Sequence, residues 1–480
     1  MISIKKDTIY QKIEAYNFVF DDALHTESTT SIYAYPRYAK KQHVLEQGFK
    51  IHISATVINS ESIFDIVIPY LIKQKIHFKV VKSNQLLRLL NEDQFGYTQI
   101  GKFITVYPVS TAHFVVLIHE LDKLLIGFVS PTIPSDIRLH INSIVYYRYG
   151  VISNTKNELI LPDGSVVQDA RNPTEPVPFW VKDPLKKENP VPKKKGANKL
   201  LLDRYILLKV VRQRGKGLVA LALEVQKKKS LDSNIRLVFL KQARKLGELN
   251  ANGIDAVNRL EKEFHLMQQL APIGICPQPI DFLRYQGDAF MSMSVFGEKS
   301  LDEILFGNML LPKDMLLKIF LCIASKIDAL HTRYIYFFDL HPGNVLLNDF
   351  NEVLLTDFEY AVQRDSDFSE SWDVGTQGFY PSPSVWDTLG KISLYKKMIY
   401  KDLFALGNVL AALFCPQWYQ DVIQEKHQQQ GSTFLNWGIE EALPLFPEAV
   451  RAICTKTNFG ITEQYQSVRE LIQDVQQVAL

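Results

Sequence analysis

Along the stretch GFKIHISA, apolar Phe49, Ile51, Ile53 and Ala55 alternate with polar Lys50, His52 and Ser54. That two-residue period predicts a β-strand with Lys50 and His52 on one face. HFKVV, KFITVYP and SIVYYRYG predict further strands, while SIFDIVIPYLIKQ, NQLLRLLN and STAHFVVLIHELDKLL carry helical spacing. Pro69 interrupts the first helical pattern, so that helix is expected to be kinked or shorter than its apolar spacing suggests. The interleaving predicts a small α+β domain over residues 1–170. Residues 171–199, RNPTEPVPFWVKDPLKKENPVPKKKGANK, lack either period and are rich in proline and lysine, which predicts a linker with a solvated KKK run. After Leu200 a strand-rich stretch leads to a helix with Val257, Leu260, Phe264 and Met267 on one face, and from Pro312 onwards the pattern is mostly helical. This predicts a two-lobed domain over residues 200–480, with a β-rich lobe over about 200–297 and a helical lobe over about 298–480.

Composition narrows the picture. A chain of 480 residues exceeds one ordinary core of roughly 100 to 200 residues, so two or three domains are expected. Its 46% hydrophobic and 22% charged content is that of a globular protein, and a net charge of +2 gives no global attraction to nucleic acid or membrane. Cys276, Cys322, Cys415 and Cys454 form no CxxC pair, which argues against a disulfide framework or a structural zinc site. The N-terminus lacks an apolar signal core, and no run reaches the roughly 18 uninterrupted apolar residues of a membrane span. A cytoplasmic protein with no nucleic-acid partner is the expectation.

The strongest motif is FFDLHPGNVLL followed by VLLTDFEYA. Asp339 and Asn344 have the spacing of a kinase catalytic loop, in which the aspartate orients the attacking hydroxyl and the asparagine holds magnesium. Asp357 follows a buried-strand pattern, where the second metal-binding aspartate belongs, and hard oxygen donors suit magnesium bridging nucleotide phosphates. Lys241 on a predicted strand could reach those phosphates, with Glu263 on the next helix as its ion-pair partner. Gly215 and Gly217 in RQRGKGLVA offer flexible backbone over the phosphates, and Asp402 in KDLFALGNVLAAL resembles the buried aspartate that anchors a catalytic loop. GTQGFYP, Gly375 to Pro381, occupies the place of a substrate-binding loop. Residues 200–480 resemble the protein kinase-like superfamily, with two departures: Phe338 stands where arginine usually precedes the catalytic aspartate, and Glu359 replaces the glycine of the DFG triplet. Control by an activation-loop phosphate through that arginine is therefore not expected, and because DLHPGN also occurs in small-molecule kinases the loop does not name the acceptor.

In the N-terminal half Lys79, Lys102 and Arg148 also fall on candidate strands, and Tyr146 shares a face with Arg148 as Lys50 does with His52. Cations at strand centres are costly unless an anion or water compensates them, and a phosphate dianion would. Elimination of phosphate from a phosphoserine needs a base for the α-proton, an acid for the leaving group and cations for both developing charges. Lysine, histidine and strand cations supply that inventory, although His52 alone also reads as an ordinary exposed strand residue and Arg148 alone as half of a surface salt bridge.

GFKIHISATV, HFKVV, GKFITVYP and VYYRYG together resemble the lyase domain of class III lanthipeptide synthetases, which is related to bacterial effector phosphothreonine lyases, and LPDGSVVQDARNPTEPVPFWVKDP resembles that family's lyase-to-kinase connection. The resemblance implies His52 as general acid, Lys79 as the base and Lys50, Lys102 and Arg148 as phosphate ligands, with Arg138 and Tyr107 carried over on less specific matches. It also implies magnesium, ATP or GTP as phosphoryl donor, and a precursor peptide with a leader and a Ser/Thr-containing core. Such synthetases normally continue into a zinc cyclase domain, which would follow RELIQDVQQVAL, so ring formation is expected to need a separate cyclase, to be absent, or to belong to a longer chain. The expected function is a peptide dehydratase that phosphorylates Ser/Thr and then eliminates phosphate to dehydroalanine or dehydrobutyrine. The alternatives are a kinase whose N-terminal domain only binds phosphorylated product, and a pseudokinase scaffold.

Overall fold

The structure is a computed structural model that describes residues 7–20, 32–38, 45–153, 156–186, 200–226, 234–250, 252–297, 299–307, 311–364, 378–381, 386, 392–421, 443–457 and 464–478. The chain divides into two compact units, one of Met1–Ala220, Gln242–Val257 and Arg284–Ala289, the other of Leu221–Lys241, Asn258–Leu283 and Phe290–Leu480. The expected mixed α and β architecture, with a β-sheet lobe and helices in the kinase half, is what the chain forms. Among the described residues no helix is long and apolar enough to cross a membrane.

The first unit is built on a seven-stranded sheet. Its strands are β1 (Val19–Phe20), β2 (Tyr33–Tyr35), β3 (Gln47–Ser54), β4 (His77–Val81), β5 (Lys102–Tyr107), β6 (Ile137–Arg138) and β7 (Val145–Val151), in the order β1-β2-β4-β5-β3-β7-β6. The pairs among β3, β4, β5 and β7 are antiparallel, with Lys50 opposite Arg148, His52 opposite both Tyr146 and Thr105, and Lys79 opposite Thr105. Directly opposed residues share a face, so one face of this sheet collects Lys79, Thr105, His52, Lys50, Tyr146 and Arg148. The alternate residues Phe49, Ile51, Ile53, Phe78, Val80, Ile104, Val106 and Tyr147 form the apolar face and belong to the core. Helices α2 (Ser60–Lys73) and α4 (Thr111–Leu124) contribute to the same core, with Phe49 stacked on Phe114 at 4.6 Å between ring centres.

Helix α2 runs through Pro69 to Lys73 and is not shortened as the sequence suggests. Pro69 lies on its exposed side, where water can take the carbonyl the ring leaves unbonded, while Ile63, Phe64, Val67, Ile68 and Leu71 are buried on the other. The segment read as a linker also begins differently: Leu185 is fully buried in the core of this unit and Val177 and Val181 pack against it, while the KKK run lies outside the described residues.

In the first unit, β8 (Glu158–Ile160) and β9 (Val166–Gln168) form a separate hairpin; in the kinase half, β10 (Tyr205–Arg214), β11 (Gly217–Gln226), β12 (Asn234–Ala243), β13 (Pro279–Tyr285) and β14 (Asp288–Ser294) form a five-stranded sheet in the order β10-β11-β12-β14-β13. Helix α5 (Ala256–Leu270) buries Val257, Leu260 and Met267 and leaves Phe264 half-buried. The second unit continues with α7 (Lys313–His331) and the 21-residue α8 (Leu394–Phe414), whose residues from Met398 to Leu413 are all buried. The catalytic-loop motif sits between β16 (Ile335–Tyr336) and β17 (Val345–Leu347), and Asp357 follows β18 (Val353–Leu355), which pairs with β17.

Candidate functional site

Two clusters of chemistry-bearing side chains stand out, each within its own unit. In the second, Lys241 from β12 places Nζ 2.7 Å from Glu263 Oε2 on α5 and 2.7 Å from Asp357 Oδ1. The backbone N–H of Phe358 donates to Glu263 Oε1 at 3.3 Å, so the helix carboxylate reaches both the lysine and the DFE turn. Burial pushes the Glu263 carboxyl up to about 7 against the opposing pull of Lys241, with the Asp357 charge adding to the rise. Asn344 donates from Nδ2 to the Asp339 backbone carbonyl at 2.9 Å and to its Oδ2 at 3.2 Å. This orients the catalytic-loop aspartate and leaves the asparagine's amide oxygen as a ligand, so Asn344 and Asp357 offer the hard oxygen donors that magnesium takes.

The loop itself is strained and held. Phe338 adopts φ 68° and Asp357 φ 66°, left-handed conformations that cost a bulky residue most. Asp402 on α8, fully buried, accepts the backbone N–H of Phe337 at 2.9 Å and of Phe338 at 2.8 Å and pairs with His331 Nε2 at 2.8 Å. The anchoring role expected for Asp402 is thereby realised. The two departures in the motif have structural partners: buried Lys401 lies 4.3 Å from the centre of the Phe338 ring, and Glu359 lies 3.9 Å from Arg259 of α5. Of the GTQGFYP loop, Gly375, Thr376 and Gln377 lie outside the described residues. Gly215 and Gly217, expected at the phosphates, have packing reasons of their own. A side chain at Gly215 would meet the Asn91 carbonyl at 3.0 Å, and one at Gly217, where φ is 156°, would fall 1.8 Å from the Gln242 carbonyl.

The other cluster covers the polar face of the seven-stranded sheet, which is buried: His52 is 4% exposed, Arg148 3%, Lys102 3% and Thr105 2%. His52 is therefore not the exposed strand residue that it alone suggested. Its Nδ1 bonds to Asp136, and Lys102 Nζ lies 3.4 Å from the other oxygen of that carboxylate. Lys102 reaches this face through a β-bulge. Ile53 pairs with Ile104 but Ser54 pairs with Lys102, a register shift that turns the lysine away from the apolar side its spacing from Ile104 implies. Arg148 donates to Asp169 at 2.6 Å, and Lys50 donates to the Val151 carbonyl at 2.5 Å. Lys79 places Nζ 3.9 Å above the Tyr33 ring. Tyr107 shares its surroundings with Tyr35, Tyr33 and Arg171, while Arg138 lies further out and donates to Tyr146 Oη at 2.6 Å and to Thr132 at 2.9 Å.

Crowded into one largely buried place, these cations lower one another's proton affinity. Burial, reinforced by Arg148, Lys79 and Lys102, lowers the Lys50 amine well below its ordinary value. Burial brings Lys102 down to about 8 and His52 to about 3, in both cases against the pull of Asp136. Burial alone would raise the Asp136 carboxyl, but His52 and Lys102 hold it well below its usual range. Arg148 Nε and Thr105 Oγ1 are buried with no hydrogen-bond partner. Orphaned donors beside buried amines make a cradle of the kind that suits a multivalent anion. Asp136, Asp169 and Arg171 were not legible as site residues: the first sits in a loop with no motif, the others at the edge of the supposed linker.

His52 also makes stability depend on pH. The unfolded state binds a proton there near 6.5 while the folded state resists until about 3, so between those values the unfolded state holds more protons and stability falls as pH falls. Urea unfolding is expected to lose about 1 kcal/mol per pH unit between pH 6 and 4. His52→Gln should flatten that slope, and equal slopes in the two proteins would refute the assignment of a neutral buried His52.

Comparison with known proteins fits this geometry. Residues 21–197 match the family described as RamC, N-terminal domain, and residues 209–473 match the protein kinase domain. The second match spans more than half of the chain, which belongs to the protein kinase family. The chain is similar to a probable SapB synthase of Streptomyces coelicolor, with 29% identity over 391 residues, covering 77% of this chain and 40% of that protein. It is also similar to the probable serine/threonine-protein kinase PknB of Lactococcus lactis subsp. lactis, with 25% identity over 287 residues, covering 58% of this chain and 42% of the relative. The chain thus spans about two fifths of the length of these curated relatives. Both halves of the resemblance drawn from the sequence have a counterpart in these matches.

Proposed function

We propose that the chain is a two-step peptide dehydratase of lanthipeptide biosynthesis. The kinase domain phosphorylates Ser or Thr of a ribosomal precursor peptide, and residues 1–170 eliminate the phosphate to leave dehydroalanine or dehydrobutyrine. The observation that carries the reading is the buried cationic face with its orphaned Arg148 Nε, a phosphate cradle in the same chain as the Lys241–Glu263–Asp357 cluster of a kinase. Phosphorylation converts a poor leaving group into a good one, which gives the two sites a reason to share a chain.

In the first step Asp339 orients the acceptor hydroxyl and Lys241 takes the nucleotide phosphates of ATP or GTP, while Asn344 and Asp357 would hold magnesium, which would neutralise charge on the transferring phosphoryl group. In the second, Lys50, Lys102 and Arg148 bind the phosphate, Lys79 as neutral amine takes the α-proton, the Cβ–O bond breaks, and His52 protonates the departing phosphate. At rest burial keeps His52 neutral. The arriving dianion raises its proton affinity, and Asp136 holds the ring and stabilises the imidazolium, so the substrate helps to arm its own acid.

The test supplies a synthetic phosphoserine peptide based on the precursor core to the full chain without nucleotide. Release of inorganic phosphate together with loss of about 98 Da from the phosphopeptide is expected. A phosphopeptide that binds and stays intact would instead make the N-terminal domain a product-binding module.

A further inference from the structure

Thr105 lies at the middle of the cationic face. It is directly opposite Lys79 on one side and His52 on the other. Opposed residues in antiparallel strands have Cβ atoms about 5 Å apart, so the threonine separates the proposed base from the proposed acid by one side chain in each direction. Its side chain is 2% exposed, and Oγ1 is buried without a hydrogen-bond partner. A buried hydroxyl left unbonded is destabilising, whereas valine would fill the same strand position with the same shape and no such cost. A hydroxyl retained there is explained by a group that arrives with the substrate.

We infer that Thr105 is a further residue of the elimination site, its hydroxyl donating a hydrogen bond to the carbonyl oxygen of the phosphorylated residue as that oxygen takes on enolate charge. The inference rests on the proposed elimination activity. The phosphate belongs towards β3 and β7, where Lys50 and Arg148 stand opposite each other, with Lys102 of β5 beside Asp136, and the α-proton towards Lys79 on β4. The Cα–Cβ bond of the substrate then lies across β5, with the adjoining carbonyl above Thr105. As Lys79 takes the proton, the electrons of the Cα–H bond pass through the enolate into the new Cα–Cβ double bond. The Cβ–O pair leaves with the phosphate, which takes the His52 proton. Thr105 keeps its own proton and stabilises only the charge on the carbonyl oxygen, so its effect falls on kcat rather than on binding.

The experiment compares wild type, Thr105→Val and Thr105→Ser as full chains on the synthetic phosphoserine peptide without nucleotide. If the wild type releases no phosphate, the proposed function fails, and this inference with it. With an active wild type, T105V is expected to lower kcat about 100-fold with KM and inhibition by inorganic phosphate little changed, while T105S keeps most of the rate. T105V should melt no lower than the wild type, which excludes a folding defect. T105V within about threefold of the wild-type kcat would overturn the inference, and so would a loss confined to phosphate affinity, which would place the hydroxyl on the phosphate.

Discussion

Lys79→Ala is expected to convert the protein into a kinase that stops halfway, accumulating phosphorylated precursor while the rate of phosphorylation stays near that of the wild type. Lys79 shares the buried face with Lys50 and His52 but stands one strand apart from them across Thr105, with its amine above the Tyr33 ring. Neighbouring cations suit an amine that must be neutral to act, and a positioned base contributes about 10²- to 10⁴-fold, so elimination should fall at least 100-fold. Intact-mass measurement of the precursor over time checks this. Dehydrated product at the normal rate would remove Lys79 from the role of base and leave the face as a binding surface.

Asp357→Ala should have the complementary effect. Its carboxylate meets Lys241 at 2.7 Å, and the proposal makes it a magnesium ligand. Without it nucleotide turnover and precursor phosphorylation should fall by about 10³-fold or more. Because the elimination cluster draws on none of these groups, the same variant should still release phosphate from a synthetic phosphopeptide at close to the wild-type rate. Turnover that survives the substitution would contradict the site, and loss of both activities would point to a folding defect.

The kinase cluster was legible because its signals are local in sequence. Asp339, Asn344 and Asp357 sit at fixed offsets within one loop and hairpin, and Lys241 and Glu263 follow from a strand and the next helix. The buried cationic cluster of the first unit was legible only in part. Two-residue alternation placed Lys50 with His52, and Tyr146 with Arg148, but alternation cannot report burial: a face of lysine, histidine and arginine reads as solvated, yet His52, Lys102 and Arg148 on it are buried. Lys102 appears on the wrong face until the bulge at Ser54 is seen. Asp136 and Asp169, which set the charge balance of the cradle, lie 84 and 21 positions from His52 and Arg148. Only the folded chain brings them together. Pro69 misled in the opposite direction, since an exposed proline can leave its lost hydrogen bond to water while the buried side of the helix continues.

One chain is proposed both to add and to remove the phosphate. The most direct measurement is intact-mass spectrometry of a precursor peptide incubated with the full chain, magnesium and ATP or GTP. A transient gain of roughly 80 Da that gives way to a net loss of about 18 Da for each modified residue is expected. A stable gain of about 80 Da with no later loss would contradict it.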